Sequence, residues 1–131
     1  MYHPKPLRVL AYVLAVIASS APARADELIE EYRAFISEND LYNSSGTRLT
    51  KPWEIVRQDR ANYHKFGLAD AGDYYDSFFS SAKNREIVER MIANGLIDPA
   101  AAEGVVSGNV FIRVRVYGVG TVGRSINIVV E

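Results

Sequence analysis

The stretch YGVGTVGRS, Tyr117 to Ser125, decides how this chain folds. Its Gly118, Gly120 and Gly123 match the spacing G-x-G-x-x-G, which in dinucleotide-binding proteins cradles a pyrophosphate. That use requires a strand before the glycines, a helix opening on them, and an acid about 20 residues later to hold a ribose. The residues after Gly123 do not open a helix. Ile126, Ile128 and Val130 alternate with Ser125, Asn127, Val129 and Glu131, the period-2 pattern of a strand with one apolar face. Without a helix N-terminus there is no focused positive end for phosphate. The glycines are predicted to turn the chain between two antiparallel strands, and no cofactor is expected.

Upstream of the turn the same period holds. Ile112, Val114 and Val116 alternate with Phe111, Arg113, Arg115 and Tyr117 from Asn109 onward. Before that the period is 3.6. Asp98-Pro99 starts a short helix that fades by Ser107-Gly108, and Ala82 to Asn94 carries an Ile87, Val88, Met91, Ile92 stripe with Ser80 or Ser81 as cap. A helix opens at Thr50-Lys51-Pro52 and is expected to reach about Phe66, stopped by Gly67. Asp26 to Asn39 is also predicted to be helical. Leu28, Ile29, Tyr32, Phe35 and Ile36 fall on one face of it, and Glu27, Glu30, Glu31, Arg33 and Glu38 on the other. Asp40–Leu49 and Leu68–Phe79 read as loops, the second held down by its aromatics. The expected fold is α+β: three to four helices followed by a C-terminal antiparallel β-hairpin packed on the helical layer.

The first 25 residues stand outside this pattern. A basic start with Lys5 and Arg8, the apolar run VLAYVLAVI, and Ala23-Arg24-Ala25 form the three-part layout of a secretory signal peptide cleaved after Ala25. The apolar run is shorter than the roughly 20 residues a membrane span needs, so no stable membrane anchor is expected after cleavage. Residues 26–131 then form a single small domain. Losing Lys5, Arg8 and Arg24 leaves 12 bases against 16 acids, a net charge of −4. Such a domain has no bulk attraction for nucleic acid. With no cysteine in the chain, disulfides, thiol catalysis and zinc-thiolate sites are excluded. Cleavage signal and missing disulfides together point to a bacterial periplasmic or extracellular location.

Chemistry has few places to sit. In WEIVRQDRANYHKFG, residues 53–67, the apolar stripe is poor, and Asp59, Arg60, Asn62 and His64 lie on or beside the surface that should face the core. One reading makes these residues a catalytic pocket: His64 as general acid/base, Arg60 as anion holder, with Asp59 and Tyr63 nearby, in a small hydrolase. The other makes Asp59 and Arg60 ties to neighbouring loops, because a lone histidine without a nucleophile or metal partner has no reaction to run. Asp70, Asp73 and Asp76 are the candidate metal carboxylates, although they lack the EF-hand ligand spacing. The hairpin displays Phe111, Arg113, Arg115, Tyr117 and Arg124 opposite its core face, a combination that can stack on and pair with a ligand or partner. The reading favoured by these features is a small exported, non-catalytic binding or assembly module. It would engage a protein partner or a second copy through the hairpin edge.

Overall fold

The computed structural model describes residues 1–4 and 24–131. Most of the predicted leader therefore lies outside the described residues. Along the chain come β1 (Glu27–Ile36), α1 (Pro52–His64), α2 (Ala82–Glu86), α3 (Val88–Ala93), β2 (Leu96–Ile97), α4 (Pro99–Ser107), β3 (Val110–Val119) and β4 (Val122–Val130). Short 3-10 turns cover Glu38–Leu41 and Phe78–Ser80. The strands form one sheet in the order β1-β3-β4-β2. Its β1–β3 and β3–β4 pairs are antiparallel, while β2 and β4 run parallel. The fold is α+β, but two expectations need correction: the sheet is mixed and four-stranded, and its first strand precedes every helix.

The segment predicted as the first helix is β1. Tyr32, Ala34 and Ile36 point into the core and pair with Val114, Ile112 and Val110 of β3. Glu31, Arg33 and Phe35 point the other way. Tyr32 and Ile36 are four residues apart, a spacing that suits a helical face and a strand face equally. Only Ala34 and Phe35 separate the two readings. A helix would bury Phe35, whereas the structure buries Ala34 completely. A register shift between Leu28 and Glu30 adds to the local disguise. What decides is the non-local partner: the inner face of β3 is uniformly β-branched and takes a third strand along its free side.

The glycine-rich hairpin forms as expected, and each glycine has its own reason. Gly120 is the turn residue, at φ +60°. A Cβ on Gly118 would strike the Val122 carbonyl across the ladder, and one on Gly123 would enter the space of Phe78 and of Met91 Sδ, 2.7 Å away. The third predicted helix is interrupted at Ile87, whose φ −96°, ψ 7° lies outside the helical region, giving α2 and α3. Ser81 caps it, accepting from the Asn84 amide at 3.4 Å.

All helices lie on one face of the sheet, where Ile112, Val114, Val116, Ile126 and Ile128 are fully buried against Ile55, Val56, Phe79, Val88, Met91 and Val105. On the opposite face the 68–79 loop reaches the ring of Phe111, 2.7 Å from where a Cβ on Gly72 would stand, and no helix covers the rest among the described residues. No described helix is long and apolar enough to cross a membrane.

Candidate functional site

Two polar systems flank the sheet, one buried and one exposed. The buried system grows from α1. Its inward face carries Ile55 and Val56 and then, one turn on, Asp59, Arg60 and Asn62, all buried. Arg60 is entirely inaccessible. Its Nε donates to Asp59 Oδ2 at 2.8 Å and its Nη1 to Asp76 Oδ1 at 2.8 Å. The guanidinium also lies 4.3 Å from the Tyr32 ring centroid and 4.6 Å from that of Tyr63. Burial works against its charge, but Asp59, Tyr32 and Asp76 together hold Arg60 protonated above its ordinary value.

Asp76 is the junction of this network. Its Oδ1 accepts from both Arg60 and His64 Nε2, the latter at 2.9 Å, and its Oδ2 accepts the Phe79 amide at 2.6 Å. That bond to Asp76 leaves His64 leaning on Tyr63 and Tyr75, with ring centroids 4.9 and 5.9 Å away. Asp73 does different work. It accepts the Phe35 amide and the Asp70 amide, each at 2.8 Å, and so clips the 68–79 loop onto the outer edge of β1. Asp70 turns toward Asp40 and Asp59, and oxygens of these three carboxylates lie within 4.8 Å of one another.

The three acids singled out in the sequence thus separate into a junction, a clip and a member of a different cluster. Asp40, invisible in the sequence reading, is buried. It accepts Asn62 Nδ2 at 2.9 Å through Oδ1, and the Ser37 amide and hydroxyl through Oδ2. Desolvation pushes its carboxyl up to about 6. Burial likewise raises Asp59, only partly countered by Arg60. The local pattern Ser37-x-x-Asp40, a capping pair, was the one signal of Asp40 in the sequence.

The exposed system is the bare face of the sheet. Arg113 and Arg115 stand there as expected, but each is engaged. Glu31 Oε1 accepts from Arg113 and its Oε2 from Arg115, both at 2.8 Å. Glu131 accepts from Arg33 and from Arg113. Phe111 stacks on Phe35, centroids 4.8 Å apart, with the Arg33 guanidinium 3.7 Å above its ring. Tyr117 sits opposite Leu28 on β1. Arg124 stands apart from this lattice, on the bulge of β4, and pairs with Asp26 at 2.9 Å. The partners of these arginines were not legible while β1 was read as a helix.

The sheet edges are closed in part. β1 flanks β3 along its whole length. On the outer side of β1, Arg33 O accepts the Tyr74 amide at 2.9 Å and the Phe35 amide goes to Asp73. β4 is met by β2, and the Arg124 carbonyl accepts Asn94 Nδ2 at 3.3 Å. The fold and the two polar systems define a small α+β protein with one helical layer and one open sheet face. Comparison with family models, with curated proteins and with solved structures finds no match.

Proposed function

We propose that this chain is a non-catalytic binding or assembly module, exported to the periplasm or beyond, that engages a protein partner or a second copy of itself. The contact is assigned to the open face of the sheet rather than to the hairpin edge. The observation that carries this reading is the composition of that face. Phe35, Phe111 and Tyr117 interleave with Arg33, Arg113 and Arg115, and Leu28, Leu96 and Val129 are exposed around them. Aromatic and arginine side chains are the types enriched in protein contact surfaces. The guanidinium–carboxylate lattice holds them in place, which lowers the ordering cost of binding. The edges support strand addition less well, because loop and side-chain groups already take up some of their hydrogen bonds, at Arg33 and Phe35 of β1 and at Arg124 of β4.

The hydrolase alternative, built on His64 with Asp59, Arg60 and Tyr63, draws less support from the geometry. Arg60 has no accessible surface, and its Nε and Nη1 are committed to Asp59 and Asp76, so a substrate anion has no path to it. The buried network has the form of a clamp.

The test is photocrosslinking in envelope extracts, with the photoreactive side chain placed at Val129 on the open face and, as control, at Glu89 in the helical layer. Adducts at Val129 and none at Glu89 are expected. Equal labelling at both positions, or a solitary chain with turnover that disappears in His64→Ala, overturns the reading. The mass of the exported product should correspond to a chain beginning at Asp26.

A further inference from the structure

We propose that Asp40, Asp59 and Asp70 form a binding site for a single Ca²⁺ ion between the Glu38–Leu41 turn, α1 and the 68–79 loop. The proposal is independent of the open sheet face and of any partner there.

Three residues distant in sequence bring carboxylate oxygens within 4.8 Å of one another. Two of them, Asp40 and Asp59, are about 1% exposed, so water does not dilute their mutual repulsion. Acids gathered in this way become a site only if something in the cluster is missing a partner. Asp59 meets that condition: its Oδ2 is bonded to Arg60, while its buried Oδ1 has no hydrogen-bond partner. Asp70 Oδ2 is likewise buried and without a partner. So are the hydroxyl of Tyr32, whose phenol feels the charges of Arg60, Asp59 and Asp76, and Nη2 of Arg60 itself. An unsatisfied buried polar atom costs about 1–3 kcal/mol, and more when charged. Several gathered in one region need a common explanation.

For the acceptor oxygens among them, a hard cation supplies one. Five carboxylates, those of Asp40, Asp59, Asp70, Asp73 and Asp76, lie in this region against the guanidinium of Arg60 and the imidazole of His64. Arg60 Nε serves Asp59 Oδ2 and its Nη1 serves Asp76, while Asp59 Oδ1 and Asp70 Oδ2, in a cluster completed by Asp40, are left without a hydrogen-bond partner. Oxygen-only ligands without His or Cys select Ca²⁺ or Mg²⁺ over transition metals. Geometry separates these two. Mg²⁺ demands a compact, near-ideal octahedral shell, whereas Ca²⁺ accepts the irregular geometry that a loop acid and a helix acid impose, with water filling its other positions.

The full chain, stripped with EDTA, is titrated by calorimetry with CaCl₂ and separately with MgCl₂ at neutral pH, and its thermal midpoint is followed in parallel. One Ca²⁺ per chain is expected, with a dissociation constant of about 10⁻⁴–10⁻³ M, as in extracellular calcium modules. Mg²⁺ should bind at least about tenfold more weakly, because of its demand for a compact octahedral shell. Asp70→Asn, at the half-exposed member, should weaken Ca²⁺ at least about tenfold through loss of ligand charge. Glu86→Gln, the same charge change elsewhere, should leave affinity unaltered. No saturable Ca²⁺ signal in the parent chain overturns the proposal whatever the variants do. Equal Mg²⁺ affinity overturns the choice of ion, and parental Ca²⁺ affinity in Asp70→Asn overturns the ligand set.

Discussion

Arg60 is the residue on which the helical layer depends. A guanidinium offers donors in a rigid fork, which is why one side chain can serve Asp59 on its own helix and Asp76 sixteen positions later. A lysine has no such fork. Arg60→Lys should therefore keep one of the two pairings and lose the other. Arg60→Met should strand two buried carboxylates, at a cost of about 3–5 kcal/mol in urea denaturation. A loss below about 1 kcal/mol for Arg60→Met would mean that the pairs are not buried as drawn. Tyr32 makes the opposite case. Its ring packs edge-on against Phe79 at 5.9 Å, while its buried hydroxyl lacks a partner. Tyr32→Phe in calcium-free buffer should be neutral or stabilising, by up to about 1–3 kcal/mol. A clear destabilisation would reveal a bond to that hydroxyl. The inward turn of Asp59, Arg60 and Asn62 was legible because α1 lacks an apolar stripe. Their partners Asp40 and Asp76 were not, since nothing local in a loop acid reports which helix it will meet.

At the scale of elements, steric need sorts the glycines of the hairpin better than any motif. Gly118 and Gly123 are held by close approach, whereas Gly120 turns the chain with open space around it. Gly123→Ala should push Phe78 and Met91 off β4 and cost about 1–3 kcal/mol, the usual range for overpacking. Gly120→Asn should stay within about 1 kcal/mol of the parent, because asparagine tolerates positive φ. Thermal denaturation of both variants checks the contrast, and the reverse order would mean that the ladder register is wrong. The hairpin was readable because its strands alternate over a long run and a helix was excluded after the glycines. α1 and α4 were readable from Pro52 and Pro99 at their first turns. β1 was not, because Tyr32 and Ile36 satisfy both periods and the deciding neighbour, β3, lies about 80 residues away in sequence. That one misreading also hid the partners of Arg113 and Arg115, since Glu31 was placed on the solvent side of a helix.

Across the whole molecule, the open face and the buried face are tied by different forces. The inner face is held by apolar packing together with the buried network around Arg60. On the outer face, Glu31 joins Arg113 and Arg115 of β3 to β1, and Glu131, just past β4, joins Arg33 of β1 to Arg113. Hydrogen bonds from Arg115 and then Arg113 hold the Glu31 carboxyl below its ordinary 4.5. Desolvation would raise Glu131, but Arg33 and Arg113 outweigh it and hold this carboxyl low as well. A carboxyl whose folded pKa is depressed contributes stability above its unfolded value and loses it as pH falls through the folded one. The lattice should therefore support the sheet at neutral pH and be lost as pH falls below the ordinary 4.5 and through the lowered folded values. Because the pairs are exposed to solvent, the contribution is modest and salt weakens it. The variant Glu31→Gln/Glu131→Gln isolates it from every other titrating group. At neutral pH and low salt this variant should be less stable than the parent in urea. The gap should narrow as pH falls below the ordinary 4.5, and also narrow at neutral pH when salt is added. A gap that stays constant through acid and through salt would mean that these glutamates act by packing alone, and that nothing electrostatic preorganises the open face.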